Sequence, residues 1–315
     1  RQIAKYRPAQ LVLFDRYENG LFDIDSELTR KGQTRISALV GDVGDAKGLD
    51  YLFSKHRPHI VFHAAAHKHV PLMEHNPLEA VKNNIFGTRN LIEATSRHGA
   101  ESFVMISTDK AVNPANIMGA TKRIAEFLTI SENQTSPTKF TTVRFGNVLG
   151  SNASVVQIFK QQMRRGGPLT VTHPEMRRFF MLIPEAVQLV LIAAASGKGG
   201  EIFVLDMGEQ IRIVDLAENI IQLSGFIPYK DVKIEFTGLR PGEKLSEELF
   251  DESEKVVPTS HEKLKVAIPG KVPSPDDLLS HISALEHIVS NNAVDEVVPE
   301  IQKMLNNFQQ QGHRW

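Results

Sequence analysis

Short apolar runs rich in β-branched residues alternate with longer helical patterns along the first half of this 315-residue chain. These runs are nearly continuous in hydrophobic residues, as is typical of strands that are buried on both faces of a parallel sheet. Strands that alternate with helices predict right-handed βαβ units, and therefore an α/β fold with a doubly wound parallel sheet over residues 1–150. The pattern places strands at 11–14, 36–40, 60–62, 103–106 and 140–145, with the clearest helices at 77–98 and 117–132.

The character of the chain changes after residue 150. We interpret residues 151–273 as a smaller α/β lobe that binds substrate, and residues 274–315 as a C-terminal segment with two helices over 274–308. Ser274 followed by Pro275 and two aspartates is a typical helix start. In the lobe, the pattern predicts helices at 153–165, 184–196 and 213–224, and strands at 169–172, 201–205 and 232–236.

Composition narrows the function classes. The chain has no cysteine, which excludes disulfides, zinc–thiolate sites and a cysteine nucleophile. A net charge of −1 gives no field that favours nucleic acid or an anionic membrane, and no apolar run approaches the ~18 residues of a membrane helix. We therefore expect no nucleic-acid partner and no membrane contact by this chain itself. Four histidines between 63 and 75 lack a convincing set of carboxylate partners, so no metal is predicted.

Asp15 ends the first predicted strand and indicates a Rossmann-like dinucleotide fold. In such folds an acid at the end of the second strand holds a ribose hydroxyl, about 20 residues after a glycine fingerprint. Counting back from Asp15 places those glycines before Arg1, and the start of this chain has no such fingerprint. Our hypothesis is that the first strand and the Gly-rich loop belong to a longer parent protein and are missing here. Asp15 could also be a strand-end turn residue, and Arg16 beside it leaves NADP open alongside NAD.

Other residues at predicted strand ends could contact the same cofactor. Asp42 could accept from an adenine amino group or serve as a turn residue. The small residues that follow His63 would let a cofactor lie against the backbone at the carboxyl end of the sheet. The predicted cofactor-binding residues are Asp15, Arg16, Asp42, Val43, Ala64, Ala65, Ala66, Asn84, Ser107 and Lys122.

The most specific chemistry lies directly after the predicted strand at 103–106. Thr108, Asp109 and Lys110 follow that strand, so we expect them at the mouth of the cofactor crevice. An isolated stretch of this kind would usually be a polar loop. Here a helix with Met118 and Lys122 follows at a fitting distance, and an adjacent acid and base suit an elimination reaction.

The second half of the chain contains the signal for an anionic ligand. Arginines recur beside Gly and Pro turns, and their planar forks suit a diphosphate, although any one of them is more often a solvated surface residue. Lys68 and His69, in the first half, are either substrate-loop residues or simply exposed. The predicted substrate-binding residues are Lys68, His69, Asn147, Arg178, Arg212, Arg240 and Glu243.

Together these segments resemble the extended short-chain dehydrogenase/reductase family from about residue 3 to 270. More narrowly, they resemble bacterial UDP-N-acetylglucosamine 4,6-dehydratases of capsule, lipopolysaccharide and protein-glycan synthesis. Met118 stands where much of the family has a tyrosine. In this respect the chain resembles the long, membrane-tethered subgroup. The resemblance implies a parent anchored in the bacterial inner membrane, with this chain as a soluble domain on the cytoplasmic side. Its motifs are FHAAAHKHVPLM (62–73), STDKAVNP (107–114), MGATK (118–122), RFGNV (144–148) and LRPGEK (239–244).

The resemblance implies three coupled steps. NAD takes a hydride from C4 of the sugar, water leaves across C5–C6, and the hydride returns to C6 to give UDP-2-acetamido-2,6-dideoxy-4-keto-hexose. Protonated Asp109 is assigned to the departing C6 hydroxyl and deprotonated Lys110 to the C5 proton, which requires a lowered Lys110 pKa. Thr108 is assigned to O4 and Lys122 to the nicotinamide ribose. Met118 cannot accept the C4 hydroxyl proton, and we favour a water near Thr108 and Lys122 for that step.

Two other functions stay open at this point. A 4-epimerase on the same scaffold needs an acid–base group at O4 and no elimination pair, so Met118 argues against it. A non-catalytic sugar-nucleotide-binding domain is the second alternative, because cofactor affinity should collapse without the phosphate loop. UDP-N-acetylglucosamine is the expected substrate and a homo-oligomer the expected assembly.

Overall fold

The computed structural model describes residues 1–151 and 154–308, and its first half alternates strands with helices as predicted. A 3₁₀ turn at Ile3–Tyr6 precedes the first strand. The elements of this half, in chain order, are β1 (Leu11–Asp15), α1 (Glu18–Arg30), β2 (Ile36–Val40), α2 (Ala46–His56), β3 (Ile60–His63), α3 (Val70–His75), α4 (Pro77–Ala80), a π-helical segment (Val81–Phe86), α5 (Gly87–Arg97), β4 (Ser102–Ile106), a 3₁₀ turn (Asp109–Ala111), α6 (Ile117–Glu132) and β5 (Lys139–Arg144).

The second half contains shorter strands, several of which the sequence did not predict. Its elements are β6 (Asn147–Leu149), α7 (Val155–Arg164), β7 (Leu169–Val171), β8 (Arg177–Arg178), β9 (Phe180–Leu182), α8 (Ile183–Ser196), β10 (Ile202–Leu205), β11 (Ile211–Arg212), α9 (Ile213–Leu223), β12 (Ile234–Phe236), β13 (Lys255–Pro258), β14 (Leu264–Ile268), α10 (Pro275–Ser290) and α11 (Val294–Phe308).

The central sheet has six strands in the order β13-β14-β10-β5-β4-β3. Its four strands from β3 to β10 are parallel, whereas β14 and β13 are antiparallel to their neighbours. Alternate residues of β4 point to opposite faces, so Phe103 packs under α2 and α5 while Val104 packs under α8. β1 and β2 form a separate parallel pair. Helices on both faces of a mainly parallel sheet confirm the predicted Rossmann-like α/β fold.

The central sheet contains strands from both sides of residue 150. The chain returns to this sheet after α8 and adds β10, β14 and β13 to it. In contrast, α7, α9, β7 and β12 surround an apolar cluster of their own around Phe159. A substrate-binding role for residues 151–273 stays a prediction. Residue 153, where the first helix of that lobe was predicted to begin, and residues 309–315 of the C-terminal segment lie outside the described residues.

α10 and α11 are the two C-terminal helices that the sequence predicts, and they pack together as a hairpin. Ser274 caps α10, since its Oγ accepts from the Asp277 N–H at 3.1 Å. Apolar residues of both helices, including Leu285 and Ile301, pack in one core with Ile124 of α6. Along the parts of the chain that the structure describes, no helix has the length and apolar character to cross a membrane.

A buried ionic network joins the sheet to α6. Arg144 at the end of β5 donates to Glu126 at 2.8 and 3.1 Å and to Glu254 at 2.9 and 3.1 Å. Arg123 donates to the same two carboxylates, and Ser107 Oγ donates to Glu126 at 2.6 Å. Burial by itself raises the pKa of Glu126, but the charges of Arg144 and Arg123 outweigh it and lower the pKa to about 2. The network therefore stays ionised at neutral pH and fixes α6 beside the end of β4.

Replacing Arg144 with methionine should lower the free energy of unfolding by about 3–5 kcal/mol, because two buried carboxylates lose one of their two cations. Urea unfolding followed by circular dichroism measures the loss. The control Arg97→Met removes an arginine that is 60% exposed and pairs with Asp50, so a loss of at most about 1 kcal/mol is expected. Equal losses in the two variants would contradict the role given to the network.

Candidate active site

A cavity of about 390 Å³ opens at the carboxyl ends of β3, β4 and β5. Parallel strands place their ends at the same edge of the sheet, so residues far apart in the chain meet there. Phe145, Gly146 and Phe180 contribute to its wall. The predicted site residues that line it are Ala64, Ala66, Lys68, His69, Ser107, Thr108, Lys110, Met118, Lys122 and Asn147.

A 3₁₀ turn directly after β4 presents the polar residues of the site. Thr108 caps this turn, because its Oγ1 accepts from the Lys110 N–H. Asn116 caps α6 in the same way and accepts from the Gly119 N–H at 2.7 Å. A Cβ at Gly119 would clash with the carbonyl of Lys110. Glycine therefore allows the turn to pack against the first turn of α6, which carries the residues of the opposite wall.

Asp109 is fully buried, and its two carboxyl oxygens differ. Oδ1 accepts from Thr108 Oγ1 and from Lys110 Nζ, both at 2.9 Å. Oδ2 has no hydrogen-bond partner among the described residues. A Cβ at position 146 would lie 2.9 Å from Oδ2, so Gly146 leaves room beside it. Oδ2 is thus an unengaged oxygen next to Thr108 and Lys110, which line the cavity, although Asp109 itself is not among the described lining residues.

Lys110 corrects one expectation from the sequence. Its Nζ lies 2.9 Å from Asp109, 3.5 Å from Glu247 and 3.4 Å from the side-chain oxygen of Asn147. Burial lowers the Lys110 pKa, but the charges of Asp109 and Glu247 outweigh burial and raise it, with Arg178 opposing them. The expected lowering of this pKa is thus wrong for the arrangement seen here, because two carboxylates surround the ammonium.

Lys122 shows the opposite behaviour on the inner face of α6. It is 4% exposed, and burial lowers its pKa to about 8, although Glu126 acts in the other direction. Met118, one turn earlier, packs against Met73 and Ile117 and offers no proton acceptor. His63 at the end of β3 is also buried, and burial together with the Lys122 charge lowers its pKa to about 3. Lys122 therefore loses its proton much closer to neutral pH than an ordinary lysine does.

A second cavity of about 160 Å³ adjoins the first, and the two share Ala64 and Ala66. Asp15 and Asp42 flank it, with carboxylates that accept from nearby backbone N–H groups at 2.9 and 2.8 Å. Arg16 lies 3.5 Å from Asp42 and is about half exposed. Exposed carboxylates beside a small-residue wall fit the adenosine end of a dinucleotide. The predicted cofactor residues that line this cavity are Asp15, Arg16, Asp42, Val43, Ala64, Ala65 and Ala66.

Asn84 supports the loop after β3 and does not line either cavity. It is fully buried in the π-helical segment. Its side chain accepts from the His67 N–H at 2.8 Å and donates to the His67 carbonyl at 3.1 Å and to Thr121 at 3.0 Å. This loop carries Lys68 and His69 into the larger cavity, where burial lowers the pKa of both side chains. Asn84 thus supports the site indirectly, because it holds the loop that carries Lys68 and His69.

The predicted arginines do not line the larger cavity in the described part of the chain. Arg178 is 9% exposed and donates to the carbonyls of Arg177 and Leu245. Arg212 is held by Asp215 at 2.7 and 2.9 Å. The Arg240 backbone N–H donates to Glu243 at 3.2 Å, which closes an exposed turn. Their contacts with substrate stay predictions.

Two residues of this site, Gly146 and Glu247, were not predicted from the sequence. Gly146 lies inside the RFGNV motif, and its lack of a side chain was the available signal. Glu247 lies in an acidic pair with Glu248, a pattern that is usually solvated, so nothing local marked it as a buried partner of Lys110.

The chain is similar to several known proteins. The probable polysaccharide biosynthesis protein EpsC of Bacillus subtilis is 56% identical over 256 residues, which are 81% of this chain and 43% of EpsC. A UDP-N-acetylglucosamine 4,6-dehydratase (inverting) of Campylobacter jejuni is 34% identical over 249 residues, or 78% of this chain and 70% of that enzyme. The chain therefore spans less than half of EpsC and about two thirds of the Campylobacter protein.

Solved structures share the fold. Pen from Bacillus thuringiensis has a TM-score of 0.78 at 36% identity, covering 87% of this chain and 83% of Pen. DesIV, a dTDP-glucose 4,6-dehydratase from Streptomyces venezuelae solved with NAD and TYD, has a TM-score of 0.68 at 19% identity, covering 79% and 82%. The polysaccharide biosynthesis protein family model matches residues 1–269. With this match and the observed fold, the chain belongs to the polysaccharide biosynthesis protein family.

Proposed function

We propose that this chain is the catalytic domain of an NAD-dependent UDP-N-acetylglucosamine 4,6-dehydratase. The observation that carries the proposal is the pair of Asp109 and Lys110: Lys110 lines the cavity, and Asp109 beside it has one oxygen without a hydrogen-bond partner among the described residues. Elimination needs an acid for the leaving C6 hydroxyl and a base for the C5 proton in addition to the acid–base group at O4, whereas epimerisation at C4 needs only the group at O4. The name of the Campylobacter relative supports the substrate, and the NAD in DesIV supports the cofactor. The smaller cavity fits the adenosine end of NAD.

In this mechanism, bound NAD would supply the hydride acceptor for C4 and the hydride donor for C6. Asp109 donates a proton from Oδ2 to the C6 hydroxyl as it leaves. Lys110 takes the C5 proton after its own ammonium proton has passed to Asp109, 2.9 Å away, which becomes the acid; the carboxylates that face the ammonium, Asp109 and Glu247, therefore control the step. Thr108 lines the cavity and would hydrogen-bond O4. Lys122 would hold the nicotinamide ribose.

The first proton leaves from the C4 hydroxyl, and no tyrosine is among the described residues that line the cavity. Met118 occupies the expected position and is buried among apolar residues. A water between Thr108 and Lys122 is the acceptor we propose, because both residues line the same cavity. The lowered pKa of Lys122 suits this relay, since the amine could pass the proton on near neutral pH.

The full-length protein, incubated with UDP-N-acetylglucosamine and NAD, should give a product that is lighter by one water. Mass spectrometry of the nucleotide sugar measures this directly. Formation of UDP-N-acetylgalactosamine, which has the same mass as the substrate, would instead identify a 4-epimerase. Tight binding of the nucleotide sugar without any conversion would identify a binding domain.

Asp109→Asn should reduce turnover by about 10²–10⁴-fold with little change in KM, because an amide cannot donate the acid proton. Steady-state kinetics of product formation measure both constants. Asp23→Asn, a change on the exposed side of α1, is the matched control and should keep the parent rate. An Asp109→Asn variant whose defect lay only in KM would show that Asp109 binds substrate and is not the acid.

A further inference from the structure

Glu247 is a buried carboxylate in the segment between β12 and β13. It is 4% exposed, and its backbone carbonyl accepts from Gln210 Nε2 at 2.7 Å. Its Oε1 lies 3.5 Å from Lys110 Nζ and 3.7 Å from Arg178 Nε. Buried carboxylates are normally paired, and here both partners are cations, of which Lys110 lines the active-site cavity.

The charges that face Lys110 come from three parts of the chain. Asp109 is its neighbour on the 3₁₀ turn, Glu247 approaches from the segment after β12, and Arg178 from β8 opposes them. Asn147 on β6 adds a neutral oxygen at 3.4 Å. The ammonium is therefore held between two carboxylates, and only one of them is part of the local sequence motif.

Pairing with Arg178 does not by itself explain why the Glu247 carboxylate is buried at this position. The guanidinium of Arg178 donates to the carbonyls of Arg177 and Leu245 at 2.7 and 3.2 Å, so it is fixed without the carboxylate. Glu247 is closer to Lys110 than to Arg178. The Glu247 carboxylate thus pairs with Lys110, the proposed base, as well as with Arg178, which has a structural role.

We propose that Glu247 is a positioning residue of the elimination, which holds the Lys110 amine beside Asp109 and sets the pH at which Lys110 becomes a base. This inference rests on the proposed function of the site. Removing the negative charge removes an interaction that favours protonated Lys110, so the amine would lose its proton at lower pH. The effect acts through Lys110, since Glu247 does not line the cavity within the described residues.

The test compares Glu247→Gln with Glu248→Gln in the full-length protein. Glu248 is the matched control, because its side chain is 54% exposed and its partners are Lys244 and Asn113. Competitive acetylation with acetic anhydride, quantified for Lys110 by mass spectrometry across pH, reports the protonation of Lys110 without any turnover. We expect its midpoint to fall by about one pH unit or more in Glu247→Gln and to stay unchanged in Glu248→Gln.

A second readout is the pH profile of dehydration of UDP-N-acetylglucosamine. Its rising limb should move to lower pH in Glu247→Gln, in step with the acetylation midpoint. Glu247→Asp keeps the charge and should restore both values toward the parent, which separates loss of charge from loss of folding. An unchanged acetylation midpoint in Glu247→Gln would overturn the inference. A shifted midpoint in a protein that never dehydrates its substrate would overturn the proposed function and leave the coupling between Glu247 and Lys110 in place.

Discussion

The buried pairing of Arg144 with Glu126 and Glu254 is the constraint on which the rest of the site depends. Arg144 ends β5, Glu126 belongs to α6, and Glu254 lies just before β13, so one guanidinium joins three elements. Ser107 Oγ donates to the same Glu126 and ties the end of β4 to the network. The turn after β4 and the helix that faces it are therefore held at a fixed spacing, and the cavity between them follows from that spacing.

Two lysines that line the cavity, Lys110 and Lys122, have pKa values shifted in opposite directions by their surroundings. Both are buried, and burial alone favours the neutral amine in each. Lys110 has carboxylates on two sides, which restore its preference for the ammonium. For Lys122, burial is opposed among the described residues only by Glu126, and that carboxylate is already engaged by Arg144 and Arg123, so the pKa of Lys122 falls to about 8. One site therefore holds a strongly charged amine and a readily titrated one.

The sequence predicted the elements that depend on local pattern and missed those that depend on distant partners. α6 was predicted over 117–132 and forms at Ile117–Glu132, because the Asn116 cap and the apolar period are local. β8 and β11 have two residues each and exist only through their pairing with one another. The return of β10 to the central sheet, and the approach of Glu247 to Lys110, depend on the folded chain as a whole. Asn84 was predicted to bind the cofactor, and that contact stays a prediction; its amide holds the loop after β3, since amide side chains can satisfy backbone groups as well as ligands.

The hairpin of α10 and α11 follows the last residue matched by the family model, yet it packs against the helix that carries Lys122. α6 has Lys122 toward the cavity and Ile124 and Phe127 toward the hairpin, within one rigid rod. A displacement on one side of a rod moves the other side by a similar amount. Substitutions in the hairpin would therefore affect the active site by displacing α6 and not by changing the charge there. A chain shortened after β14 would keep every described side chain that lines the larger cavity and lose the hairpin against which α6, the helix of Lys122, is packed.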